Sequence, residues 1–271
     1  MTEITLLRQQ LSAKKRTFVI WVAVWTLLLL LFATVFNSLS KDSATNAKLF
    51  EQLPKGIFNA INIDPSLYLT KIEKFISGQF LFVYLLAGSI FSFALGASAI
   101  GKKIESRTIA MLLTKPISRG KLYLVQYLSS ATFLAAAGVV IGCLAWTIMN
   151  VLLKYQSDIS SSYFIWLFFG STLIFLTFSA LGQLIGSLMN GGSSLQVGAG
   201  IIVVSWFVNS LGEFAHIPTA VQVFSLFHYF NIPLLRDHFH LDFGLTIYLV
   251  AILLALLTAG YISFKKKDIY I

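Results

Sequence analysis

Six long stretches of this chain hold no aspartate, glutamate, lysine, arginine or histidine: Thr17–Leu39, Gln79–Ile100, Leu124–Met149, Ser162–Met189, Ser193–Leu211 and Gly244–Phe264. Each runs to about 20 residues or more, enough to cross a hydrocarbon core of roughly 30 Å. All eleven acidic and all twenty basic residues lie outside them. A charge at the centre of a spanning helix costs about 2.5–3.5 kcal/mol, so the gaps read as six bilayer crossings. The same absence excludes chemistry. Proton relays, ion sites and intramembrane active sites are built from titratable side chains, which argues against an ion-coupled carrier, a proton pump and a metal-dependent membrane protease. The one cysteine, Cys143, cannot form an intrachain disulfide and is expected to serve in packing. Alternating strands of about ten residues are missing too, which excludes a β-barrel. Polar helix faces are scarce at a mean hydropathy of +0.80, which excludes a soluble helical protein. The first stretch, 23 residues long, exceeds the roughly 7–15-residue core of a signal peptide. The fold class is all-α integral membrane.

The charges that are present alternate between the connections. Thirteen of the twenty Lys and Arg fall in residues 1–16, 101–123 and the tail after Phe264, joined on that face by the neutral turn 190–192. The remaining seven are Lys41, Lys48, Lys55, Lys71, Lys74, Lys154 and Arg236, on the opposite and longer face, where eight of the eleven acidic residues also lie. Basic density is about three times higher on the first face, and basic loops stay cytoplasmic. The expectation is an inner (plasma) membrane protein with both termini inside. The +9 net charge then reflects topology and attraction to anionic lipid, and nucleic acid is not an expected partner.

Residues 3–16 suit a short helix at the membrane interface, with Leu6, Leu7 and Leu11 on one side. The outer segment 40–78 carries Leu49, Phe50, Leu53, Ile57, Phe58 and Ile61 at roughly helical spacing, which suggests an external amphipathic cap. Ile217–Leu235 is apolar but holds Pro218, Pro233, His228 and Asn231. A seventh crossing there would move Lys265–Lys267 to the outer face, so it reads as an external re-entrant or interfacial hairpin between spans 5 and 6. Gly138 with Gly142, and Gly182 with Gly186, form two G-x-x-x-G pairs for close helix packing within the chain or, less favoured, between copies. Asn150, Gln183, Gln196 and Asn209 near span ends could line a path, though hydrogen bonding between helices is favoured. Gly96–Lys103 matches G-x-x-x-x-G-K, yet Lys103 stands where a phosphate loop needs Ser or Thr, and a span precedes it. Helix packing followed by a basic membrane stop explains it. All four histidines fall in 212–243, where His238, His240, Asp237 and Asp242 offer a weak metal pattern.

The connection 101–123 is the only substantial one on the basic face. Ile104, Thr108, Met111 and Leu112 can share one helical face, with Glu105 and Arg107 off it, and Pro116 stops the helix. A short exposed amphipathic helix of this kind either docks in a groove of a soluble partner or rests on the membrane, and the residues alone leave both open.

Here the chain resembles the ABC-2 type transporter permeases. The stretch Glu105-Ser-Arg-Thr-Ile-Ala-Met-Leu-Leu-Thr-Lys-Pro-Ile-Ser-Arg119 is similar to the family's inner signature. Leu53–Asp64 resembles its external segment, Phe224–Phe230 the stretch before the last span, and Phe264–Ile269 the basic–Asp–Ile tail. Arg107, Ala110 and Gln126 stand where the family usually has Gly, Glu and Lys. The resemblance implies a single transmembrane domain over 1–271. It also implies a coupling helix, with Ile104, Glu105, Arg107, Thr108, Met111, Leu112, Leu113, Pro116, Ile117 and Arg119 facing a cytoplasmic ABC ATP-binding subunit. The implied assembly pairs two permeases, copies or paralogues, and works as an exporter. This chain would have no catalytic residues and bind no cofactor, with ATP and Mg²⁺ held by the partner. The other readings are a membrane scaffold for an envelope machine, or an ATP-independent channel or carrier.

Overall fold

The computed structural model describes residues 3–41, 72–106, 118–152, 161–189, 191–210, 217–228 and 243–267. Within these, the elements are α1 (Glu3–Ala13), α2 (Lys15–Lys41), α3 (Ile72–Phe75), α4 (Leu81–Glu105), α5 (Arg119–Thr147), α6 (Ser161–Leu188), α7 (Gly191–Ser210), α8 (Thr219–Gln222) and α9 (Phe243–Lys266). Six of them, α2, α4, α5, α6, α7 and α9, are long and apolar enough to cross a membrane. No strand occurs among the described residues. Two wide π-helical turns, Ile76–Phe80 and Ile148–Leu152, open α4 and close α5.

The helices outrun the apolar stretches at their basic ends. α4 continues to Glu105 and α5 begins at Arg119. Nothing in Gly101–Ile104 breaks a helix, and the backbone bonds of α5 are opened by Ser118. Its extended backbone (φ −65°, ψ 149°) lets its hydroxyl accept from the Lys121 amide at 3.4 Å, an N-cap.

α4 and α6 form the centre and pack most extensively on one another, while α2, α7 and α9 lie outside. Glycine makes the central crossing close. A Cβ on Gly182 would run into the Phe93 carbonyl, one on Gly96 into the Ser179 carbonyl, and one on Gly101 would stand 2.9 Å from the Gly186 carbonyl. Gly138 faces Thr172, and Gly142 faces Phe168, where α5 meets α6. Both G-x-x-x-G pairs thus sit at crossings inside the chain. Residues 96–103 are helical throughout, with Gly96 and Gly101 at the α4–α6 crossing.

Aromatic rings fill the space beyond. Tyr84 lies 4.8 Å from Trp25, 5.1 Å from Phe175 and 5.8 Å from Phe168, mostly edge to face. Phe32 and Phe36 of α2 meet Phe75 of α3, which closes the end remote from the basic residues.

One feature differs from the sequence reading and two add to it. α1, expected at the membrane interface, also packs on the bundle, with Leu6 buried against Leu122 and Val125 of α5. Cys143 faces outward and is exposed rather than packed. The segment after Pro218 enters the bundle. The Tyr248 hydroxyl donates to the Val223 carbonyl at 3.2 Å, Ser225 donates to the Ser205 carbonyl at 2.8 Å, and the Phe227 ring meets Phe178 at 5.4 Å. Phe178 stands ten residues from the Leu188 end of α6, about 15 Å at 1.5 Å per residue. The chain therefore descends toward mid-depth between α6, α7 and α9. The rest of the stretch to Leu235, and residues 42–71 of the cap expected over 40–78, fall outside the described residues.

Candidate functional site

The basic ends of four spans are tied together around Tyr123. Its ring is fully buried with Ile100 of α4 and Phe264 of α9, and Ile104, Leu257 and Tyr261 pack around them. Gly260 lies against the Tyr123 hydroxyl, and Gly120 lies against the Tyr261 ring, so each glycine leaves room for a tyrosine ring of the facing helix where α5 and α9 meet. From α6, Gln183 donates its amide to the Tyr123 carbonyl at 2.8 Å. This is the interhelical bond expected of a buried amide.

A polar chain completes the joint. Arg119 donates from Nη1 to the Lys267 carbonyl at 2.8 Å. Lys267 in turn donates from Nζ to the carbonyls of Ser187 and Leu188 at 2.6 and 3.4 Å. Those carbonyls end α6, where a helix carries partial negative charge and unpaired acceptors, so an ammonium is well placed. Partial burial lowers the Lys267 pKa from its ordinary value. The first residue of α5, the tail after α9 and the last turn of α6 are thereby fastened in series.

Of the residues expected to face a partner, Ile104 and Glu105 end α4, with Ile104 on the Tyr123 cluster and Glu105 exposed, and Arg119 opens α5. Arg107, Thr108, Met111, Leu112, Leu113, Pro116 and Ile117 lie outside the described residues. So do His216, His238, His240, Asp237 and Asp242, and among the described residues no cluster of three His, Cys, Asp or Glu could hold a metal. Asn150 bonds within its own helix to the Trp146 carbonyl at 3.0 Å, Asn209 is buried, and Gln196 is exposed. Sequence reasoning assigned Gln183 to either role without its partner and missed Tyr123 and Lys267. Gly120 and Gly260 were the available signal, but a glycine does not reveal which ring fills the space above it.

Six apolar spans, four of them fastened at one end around Tyr123, define a multi-pass α-helical membrane protein. The chain belongs to the ABC-2 family transporter proteins, whose family model matches residues 12–269. It is a permease, the membrane subunit of an ABC transporter, and its family implies work with an ABC ATP-binding subunit. A search of curated proteins finds none that matches it.

Proposed function

We propose that the chain is an exporter permease of the inner (plasma) membrane, with both termini cytoplasmic. It couples to a separate cytoplasmic ATPase through residues 104–119, with ATP and Mg²⁺ held by that partner. Two permeases, copies or paralogues, assemble with two ATPase subunits. Export, the coupling role and the pairing rest on the resemblance of Glu105–Arg119 to the family's inner signature.

The observation that carries the coupling role is the Arg119–Lys267–α6 chain beside the Tyr123 cluster. Residues 107–117 join α4 to α5, and both of those ends belong to the joint. A displacement of that connection by a closing ATPase pulls on α5 directly. It reaches α9 and α6 through Lys267, and α4 through Ile104. A rigid joint of this kind turns a local push into a rigid-body movement of several spans, because packed helices shift as units. The spans then open a path between the two permeases.

The test is Glu105→Arg. Glu105 is exposed, so the variant is expected to fold and to insert normally. In proteoliposomes with its ATPase, identified by co-purification from the native membrane, substrate-stimulated ATP turnover should fall to the unstimulated rate. Wild-type stimulation in the variant would remove 104–119 from the coupling role.

A further inference from the structure

A second polar pocket lies at the same end of the bundle, apart from the Tyr123 joint. Lys14 stands at the bend between α1 and α2. A lysine near a membrane surface ordinarily reaches outward to water. This one turns inward, and its Nζ lies 3.2 Å from the hydroxyls of both Ser129 and Ser130, which are fully buried on α5. Those serines are ten and eleven residues into α5, about 15 Å along it. Beside them Lys103 of α4 donates to Gln126 Oε1 at 2.6 Å. The two ammonium groups are near enough to repel one another. Burial lowers the Lys14 pKa to about 8, and no carboxylate among the described residues pairs with it.

Gln126 shows what is missing. It is 2% exposed, and its Oε1 must face the Lys103 ammonium, because the reverse orientation would set two donors against each other. Its Nε2 therefore points away, buried and without an acceptor. Gln126 presents an unpaired donor beside the Lys14 and Lys103 ammonium groups, and a group rich in acceptor oxygens would satisfy that amide and balance the two charges. One helical turn beyond Lys14 and Ser129, Phe18 and Phe91 meet the ring of Phe133 at 5.5 and 5.8 Å, so apolar packing lies on that side of the polar group. An anion therefore arrives from the end of the bundle, where the exposed Arg8, Lys15 and Arg16 concentrate anionic lipid.

We propose that Lys14, Lys103 and Gln126 bind the phosphate of an anionic phospholipid headgroup, fastening α1 to α4 and α5. The site is independent of the coupling reading, since its residues take no part in the Arg119–Lys267 chain.

The full chain is placed in nanodiscs of phosphatidylcholine alone, or with one-third phosphatidylglycerol. Lipid retained through detergent stripping is counted by native mass spectrometry, and thermal unfolding is followed in both discs. The wild type should retain phosphatidylglycerol in preference to phosphatidylcholine and unfold at a higher temperature when it is present. Lys14→Gln and Gln126→Leu should lower that preference roughly tenfold or more, the effect of losing a charge-assisted bond. Lys14→Gln should remain at least as stable as wild type in phosphatidylcholine, because it removes a desolvated charge. That result separates loss of the site from loss of the fold. Lys15→Gln, on the exposed side of the bend, should keep the preference. Equal retention of the two lipids by the wild type would overturn the proposal. So would a loss in Lys15→Gln as large as in Lys14→Gln, which would mean diffuse surface attraction. A matching rise in unfolding temperature with inorganic phosphate in phosphatidylcholine discs would reassign the pocket to a free anion and overturn the lipid source.

Discussion

Gly182 contributes by having no side chain. Its α-carbon lies against the Phe93 carbonyl, and any Cβ there collides with backbone, which cannot rotate away. Gly182→Val should therefore destabilise the bundle by at least about 1–3 kcal/mol, the usual cost of overpacking. Gly200, on the outer side of α7, has nothing within 4 Å of the same position. Gly200→Ala should be neutral or stabilising by about 0.5–1 kcal/mol, since alanine restricts the unfolded chain and favours helix. Unfolding of the two variants in the same detergent checks the contrast, and equal losses would mean that the α4–α6 crossing is not close. The spacing of Gly182 and Gly186 was legible in the sequence, but their neighbours were not. Phe93 and Ala97 are some ninety residues away, and only the packing of α4 on α6 selects them.

Among the elements, the segment 217–228 is where the sequence pattern leaves a choice that packing settles. Its prolines and polar residues place it correctly outside the set of spans. They leave open whether it re-enters the bundle or lies at the interface, and its described half descends between three spans. Depth is possible because its polar groups find partners inside the protein: Gln222 donates to the Ile217 carbonyl at 2.8 Å, and Ser225 bonds to Ser205. Irregular backbone at membrane depth survives only with such partners. Phe227 is 2% exposed and Phe224 is 82% exposed. Phe227→Ala should cost about 3–5 kcal/mol through the cavity left against Phe178. Phe224→Ala should stay within about 0.5 kcal/mol, the range for surface positions. Thermal unfolding of both in one lipid resolves the difference, and a mild effect at Phe227 would place the segment at the surface instead. α1 carries the same lesson at smaller scale. Its leucines mark an amphipathic helix, and the apolar partners that Leu6 meets are Leu122 and Val125 of α5.

For the molecule as a whole, the decisive pattern is that the α1–α2 bend and the described ends of α4, α5 and α9 carry basic residues that bond to neighbouring helices, α6 included. The proposed topology has an even number of crossings, with residues 3 and 267 on one side. Single cysteines introduced at Glu3, Glu105 and Lys267 in a Cys143→Ser background should react with an impermeant thiol reagent from the cytoplasmic side. One at Lys41 should react from the other. Labelling of positions 3 and 267 from opposite sides would require an odd number of spans and would undo the topology. The outer faces of α2, α7 and α9 are apolar nearly all round, with Leu27, Val204 and Leu254 among the exposed side chains, as expected for surfaces that meet lipid or a second permease.

The sequence by itself determined the six apolar spans and where the charged residues fall between them. A bilayer penalises charge so heavily that length and charge placement alone record the crossings. It also carried the motif by which the family is recognised. Only the tertiary structure decided what each polar or missing side chain is for. Lys267 ends α6, Gln183 holds Tyr123, Lys14 turns inward to Ser129 and Ser130, and Phe227 reaches Phe178. Such roles depend on partners distant in sequence, brought within a few ångströms by helix crossings. Between apolar spans no local rule fixes those crossings, because lipid is as good a neighbour for leucine as another helix. Close backbone packing and a few hydrogen bonds make the choice.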